Sequence, residues 1–193
     1  MGGAAAIRGA YRGGMAKRSG IYIVPTDHWY VERAVWLVAG FVLLGATALA
    51  LWVHPLFALL ITATGLASIV VAMTGFCIVG NVLHRFGLPS KLGRPAPARP
   101  RYYFMQTDSW YLERRIYVVV GINISLASLL SIVHSSWWLA FTGFVGVAMV
   151  SFAGTGYCIM ANFLYWLGYE PRLAPELARS LPPLGARPAG TGR

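Results

Sequence analysis

Thr74-Gly75-Phe76-Cys77-Ile78-Val79-Gly80-Asn81-Val82-Leu83 returns further along the chain as Thr155-Gly156-Tyr157-Cys158-Ile159-Met160-Ala161-Asn162-Phe163-Leu164. Sliding one copy onto the other at an offset of about 81 residues matches about 21 of 67 positions between Thr26 and Leu92 without a gap, the mark of an internal tandem repeat. Each copy closes a long apolar stretch: no Asp, Glu, Lys or Arg occurs between Arg33 and Arg85, or between Arg115 and Glu170. Each stretch, about 50 residues long, holds two helices of roughly 20 residues, the length that crosses a hydrocarbon core. The expected fold is therefore all-α integral membrane: four transmembrane helices as two tandem helical hairpins, related by a pseudo-twofold axis along the membrane normal. The units fall at 25–92 and 106–173. A basic arm (1–24) precedes them, a Pro/Arg linker (93–105) joins them, and a Pro/Gly/Arg tail (174–193) follows.

Composition agrees. Of 193 residues, 57% are hydrophobic and only 11% charged, far more apolar than a soluble domain. The sixteen Lys and Arg give a net charge of +10, and all of them fall before the first span, between spans two and three, or after the fourth. The hairpin tips near His54 and His134 carry none. By the positive-inside rule both termini and the linker are cytoplasmic, in a bacterial inner membrane. The basic residues are scattered along juxtamembrane segments rather than massed on one helix, which favours contact with anionic lipid headgroups over nucleic acid. The acid-free first twenty residues also suit an organelle presequence, although composition favours a basic arm lying on headgroups.

The units open alike, with Asp27, Trp29, Glu32 and Arg33 in the first and Asp108, Trp110, Glu113 and Arg114 in the second. This pattern reads as a membrane-entry cassette: Thr or Asp at the N-cap, Trp at headgroup level, Glu at the positive end of the helix dipole, and Arg anchored to phosphate. Thr74, Cys77 and Asn81, like Thr155, Cys158 and Asn162, share one face if their helix is continuous. The Thr-Gly pair is also a candidate bend. Two readings follow for this stripe. Small residues and an amide would serve helix packing, whereas a thiolate whose pKa is lowered by Arg33 or Arg114 would serve thiol chemistry. Asn123, in the third span where the first unit has Val42, is expected to make an interhelical polar contact.

No phosphate loop, catalytic triad or acid within the spans is apparent, and two unmatched thiols do not make a metal site. His54 and His134 would reach a haem iron only if the tips adjoin, and polar residues are expected at tips in any case. No cofactor is assigned. The expected role is that of a non-enzymatic accessory or scaffold subunit of a larger membrane complex or a homo-oligomer. Its partners are then lipid and other membrane subunits or copies of itself. The alternatives are a thiol-dependent redox or sulfur-handling protein using Cys77 and Cys158, and a small channel lined by Asn123 and the third-span serines.

Glu32-Arg33 and Gly40, a hydrophobic hairpin, Thr74-Gly75-Phe76-Cys77 and Gly87 together resemble the YgaP-like transmembrane domain, a small bacterial inner-membrane hairpin. Glu113-Arg114, Gly121, Gly156-Tyr157-Cys158 and Gly168 look like a second copy. The resemblance implies a tandem duplication of that hairpin. In the family a Pro commonly follows the Cys, where this chain has Ile78 and Ile159. Some relatives carry a rhodanese domain, of which these residues hold none, so the resemblance does not imply sulfurtransferase activity. Reporter fusions after Gly20, Pro95 and Gly185 are expected to report from the cytoplasm, and fusions after His54 and His134 from outside. A fusion at Pro95 reporting from outside refutes this topology.

Overall fold

A computed structural model describes residues 20–94 and 102–174. The expectations for most of the basic arm, the middle of the linker and nearly all of the tail lie outside the described residues. Within them the chain is helical, with isolated β-bridges in place of strands. The elements are α1 (Val31–Trp52), a single 3₁₀ turn (Pro55–Phe57), α2 (Ala58–Thr74), α3 (Ile78–Arg85), α4 (Leu112–Val133), α5 (Trp138–Thr155) and α6 (Ile159–Trp166). Four helical stretches are long and apolar enough to cross a membrane: Val31–Trp52, Pro55–Thr74, Leu112–Val133 and Trp138–Thr155.

Glycine stops each second helix where the signature begins. Gly75 (φ 78°) and Gly156 (φ 73°) take up the left-handed conformation, and their N–H groups bond back to the Val71 and Phe152 carbonyls. That geometry disfavours any residue with a Cβ. The chain then runs extended through Cys77 and Cys158 and starts the short helices α3 and α6. Thr74 and Cys77 therefore sit on different elements, and so do Thr155 and Cys158. The expected stripe along one continuous helix is not formed, because the left-handed glycine resets the helical phase between them.

Long-helix packing crosses between the units. Helix α1 lies mainly against α5, and α2 mainly against α4. Glycine makes both crossings possible. A Cβ on Gly121 would come within 2.6 Å of the Gly65 carbonyl oxygen, and one on Gly65 within 2.7 Å of the Gly121 oxygen. At the other crossing, a Cβ on Gly40 would meet the Gly146 oxygen at 3.0 Å and a Val150 methyl at 2.8 Å. Backbones this close gain from dispersion that larger residues would block, the close-packing mode that helices use where a bilayer supplies little hydrophobic drive. Hydroxyls add polar ties: Thr47 and Thr142 are 3.0 Å apart, Thr62 donates to Ser128 Oγ at 3.0 Å, and Ser128 donates to the Ala58 carbonyl. Trp36 and Tyr117, which occupy matching positions of the two units, bring their rings together with centroids 4.7 Å apart and a tilt of 39°.

Asn123 departs from its expected role. Its amide donates to the Val119 carbonyl one turn back at 2.7 Å and makes no interhelical bond among the described residues, because the side chain is exposed on the outer side of α4. Gly121→Val is expected to destabilise the bundle by about 1–3 kcal/mol through overpacking against backbone that cannot yield. Gly45→Ala faces open space and should be neutral or slightly stabilising. Thermal unfolding of the two variants in the same detergent checks both.

Candidate functional site

The duplicated signatures build two chemically equivalent clasps, each assembled from both units. In the first, Asn81 grips the backbone of Tyr103, in the segment that leads into the second unit. Its Nδ2 donates to the Tyr103 carbonyl at 2.9 Å and to the Cys77 carbonyl at 2.8 Å, and its Oδ1 accepts from the Tyr103 N–H at 2.8 Å. In the second, Asn162 holds Tyr22, which leads into the first unit. The distances are 2.9 Å to the Tyr22 carbonyl, 2.9 Å to the Cys158 carbonyl and 2.7 Å from the Tyr22 N–H. A primary amide presents the same donor and acceptor as a peptide unit, so each Asn acts as a short piece of neighbouring strand. The ladder continues as Met105 N–H donates to the Gly75 carbonyl at 2.8 Å and Val24 N–H to the Gly156 carbonyl at 3.0 Å. A Cβ on Gly75 would fall 2.4 Å from the Met105 oxygen, and one on Gly156 2.2 Å from the Val24 oxygen. Glycine is thus required there both for its φ and for this approach.

The Glu-Arg pairs lie inside these clasps rather than at a lipid surface. Arg114 is buried, and its Nε donates to the Ala72 carbonyl in the last turn of α2 at 2.7 Å, while Nη1 reaches the Thr107 and Ser109 carbonyls at 3.1 Å each. Arg33 does the same at α5, donating to Ala153 at 2.6 Å, to Thr26 at 2.9 Å and to His28 at 3.2 Å. Each guanidinium thus places a positive charge on the negative end of the other unit's helix. Trp29 and Trp110 cover them, with Arg33 4.1 Å and Arg114 3.9 Å from the ring centroids. The anchoring of Arg33 and Arg114 to lipid phosphate is therefore corrected: unsatisfied helix-end carbonyls bind the guanidinium instead.

Glu32 accepts from the Lys91 and Leu92 N–H groups at 3.1 and 2.7 Å and from the Tyr103 hydroxyl at 3.0 Å. Glu113 accepts from Arg172 and Leu173 N–H, with shortest distances of 2.9 and 2.8 Å, and from the Tyr22 hydroxyl at 2.8 Å. Both carboxylates stand in the first turn of a long helix, as the dipole reading expects, and are buried; two of the helices long enough to cross a membrane, Val31–Trp52 and Leu112–Val133, therefore do begin with an acid. Burial, followed by the negative charge of Glu113, pushes the Tyr22 phenol well above its ordinary pKa, and burial with Glu32 does the same for Tyr103. Both phenols therefore remain donors to their carboxylates.

Asp27 and Asp108 are not helix caps. Helices α1 and α4 start beyond them after Tyr30 and Tyr111, with no side-chain cap. Asp27 pairs with His28 at 2.8 Å, and Asp108 with Arg172 at 2.7 Å. These hydrogen bonds hold both carboxyls below their usual pKa.

The thiols cap the short helices. Cys77 Sγ accepts from the Gly80 N–H at 3.2 Å and Cys158 Sγ from the Ala161 N–H at 3.5 Å. Burial pushes both thiols up in pKa, outweighing the backbone donors that pull them down. The expected lowering by Arg33 or Arg114 is not found: burial dominates at both thiols, and the groups that pull them down are backbone N–H donors. Thr74 and Thr155 close the ends of α2 and α5: each hydroxyl donates to a carbonyl one turn back, Val70 at 2.8 Å and Ser151 at 2.7 Å, and accepts from the N–H two residues on. His54 accepts from Leu56 N–H, and His134 from the Trp138 indole, so both tip histidines have local structural partners.

Sequence reasoning missed Tyr22 and Tyr103, although they stand at matching positions just outside the region compared. The signal available was the alternation in Ile21-Tyr22-Ile23-Val24 and Tyr102-Tyr103-Phe104-Met105, where every second residue is buried. No protein family, curated protein or solved structure matches the chain.

Arg114→Met and Arg33→Met should each cost about 2–4 kcal/mol, because buried carbonyls lose their donor, whereas Arg115→Met, which loses an exposed bond to the Trp110 carbonyl, should stay within about 0.5 kcal/mol. Chemical unfolding of the purified variants in detergent reads the difference.

Proposed function

We propose that this chain is a four-pass protein of the bacterial inner membrane, with both termini in the cytoplasm, and that it serves as a non-enzymatic accessory or scaffold subunit of a larger membrane complex or homo-oligomer. The proposed architecture is two hairpins related by a pseudo-twofold axis along the membrane normal, in keeping with a duplicated YgaP-like unit. Reciprocal bonding supports it, since the Asn, Arg, Glu and Cys contacts of one clasp have their counterparts about 81 residues away in the other.

One observation carries the functional reading. The repeated Asn, Arg, Glu and Cys side chains are spent on backbone groups and helix ends, so the signature holds the chain in shape. Meanwhile the long helices turn large apolar residues outward, among them Phe41, Leu51, Leu60, Phe144 and Val147. That surface suits lipid and neighbouring helices. Anionic headgroups are the proposed partners of the juxtamembrane basic residues, and nucleic acid is not a proposed partner.

Extraction in a mild detergent followed by native mass spectrometry is expected to recover the chain with further copies of itself or with another membrane subunit. A lone monomer refutes the reading. The thiol alternative is separated in the same preparation. Cys77→Ala with Cys158→Ala should leave the assembly intact, and the wild-type thiols should react with a maleimide more slowly than a free cysteine at neutral pH, since their raised pKa keeps them protonated. Rapid labelling of both thiols together with loss of the assembly transfers the assignment to thiol chemistry.

A further inference from the structure

Between α4, α5 and the start of α6 the second unit carries a groove of about 310 Å³, backed by Trp36 of α1 and open to the outer surface, where Asn123 and Phe144 are exposed. Ile116, Phe141, Phe144, Met149 and Phe152 line it. The groove extends along α4 from Glu113 to Asn123, a rise of about 15 Å. Asn123 is the one primary amide in its wall. It lies at the middle of the 22-residue α4, and hence about half-way through a hydrocarbon core of about 30 Å. One of its N–H groups is committed to the Val119 carbonyl, while its Oδ1 and second N–H have no partner among the described residues.

An amide unsatisfied in hydrocarbon is costly, and no water at that depth is available to relieve it. A phospholipid chain has no atom to offer it, since its polar groups lie at the surface. The first unit has Val42 at this position, so the amide is not part of the framework the two units share.

We propose that this groove binds a membrane-soluble isoprenoid quinone, with the ring against Asn123 and the aromatic wall and the first part of the tail along the slot. A quinone carbonyl accepts from the free Asn123 N–H, and a hydroquinone hydroxyl donates to Oδ1, so the amide serves either form of the ring. Phe141 and Phe144 offer faces and edges for offset stacking. A cavity of about 150 Å³ already holds benzene, so this groove has room for a substituted ring and a short length of chain. The inference rests on the chain spanning a bilayer, as proposed above.

The test uses the full chain in phosphatidylethanolamine/phosphatidylglycerol nanodiscs, titrated with a benzoquinone that carries a short isoprenoid tail. Tryptophan quenching reads binding. Saturable quenching is expected, about fivefold weaker in Asn123→Val, which loses one hydrogen bond, and absent in Ala148→Phe, which fills the groove. Asn123→Val installs the residue that the first unit tolerates at the matching position. It therefore decides the matter if Ala148→Phe does not fold. Quenching that never saturates, or that is equal in wild type and Asn123→Val, overturns the proposal. Equal competition by the same tail without a ring overturns it in favour of an acyl-chain groove. A wild-type dimer that Asn123→Val splits, with no quinone bound, assigns the amide to self-association. Failure of the chain to enter the discs removes the membrane reading and this site together, whereas entry without binding removes the site alone.

Discussion

The structure depends on how the last carbonyls of α2 and α5 are satisfied. Both helices stop at a left-handed glycine, which leaves the final-turn carbonyls of the buried Ala72 and Ala153 without a partner in their own helix. Arg114 and Arg33 reach across from the opposite unit to take Ala72 and Ala153, and each fork also collects two carbonyls from its own lead-in. A planar guanidinium with five donors can do this, while an ammonium group offers only three donors around a single point. With the guanidinium groups committed, the adjacent carboxylates are left to find other donors, and Glu32 and Glu113 turn to paired backbone N–H groups and a phenol. None of these four residues forms an ion pair among the described residues. That avoids confining two opposite charges in a low dielectric, where desolvation erodes the gain.

The parts of this fold that were legible in the sequence are those set by local rules. Charge-free stretches of fixed length mark the four long helices, and a glycine after threonine marks where each second helix ends. Gly87 and Gly168, whose place shortly after each signature suits a C-terminal cap, do take positive φ after α3 and α6. What could not be read was the partner of each polar side chain. Glu32-Arg33 at the head of an apolar helix looks the same whether it meets headgroups or a neighbouring unit, because helical period says which face a residue is on and not what covers it. The shared face assumed for Thr74, Cys77 and Asn81 failed for a related reason: a period of 3.6 holds only while the helix lasts. Tyr22 and Tyr103 escaped notice because four alternating residues are too short a run to stand out beside twenty apolar ones.

Cysteine at the start of α3 and α6 shows how a reactive residue type can be chosen for modest reasons. The position needs an extended backbone, a weak acceptor for the first free N–H, and little bulk against Tyr103 or Tyr22. Cys meets these needs where the protein excludes water, and burial then suppresses the thiolate that would make it reactive. Serine meets the first two as well, but with a hydroxyl that is harder to leave half-satisfied in an apolar setting.

The two clasps are alike in chemistry and unlike in the chain distance they span. Asn81 and Tyr103 are 22 residues apart, whereas Tyr22 and Asn162 are separated by 140. During synthesis the first closes as soon as the second unit begins to emerge. The other must wait for the 140 residues that separate Tyr22 from Asn162, on the order of 10 s at about 5–20 residues per second. For that interval Arg33 and Tyr22 stand in the nascent chain without the groups they are built to hold. A ribosome-bound protein of this design passes through a half-latched stage in which a second nascent copy could supply the missing signature, so the timing of translation becomes a determinant of whether the two ends of one molecule find each other.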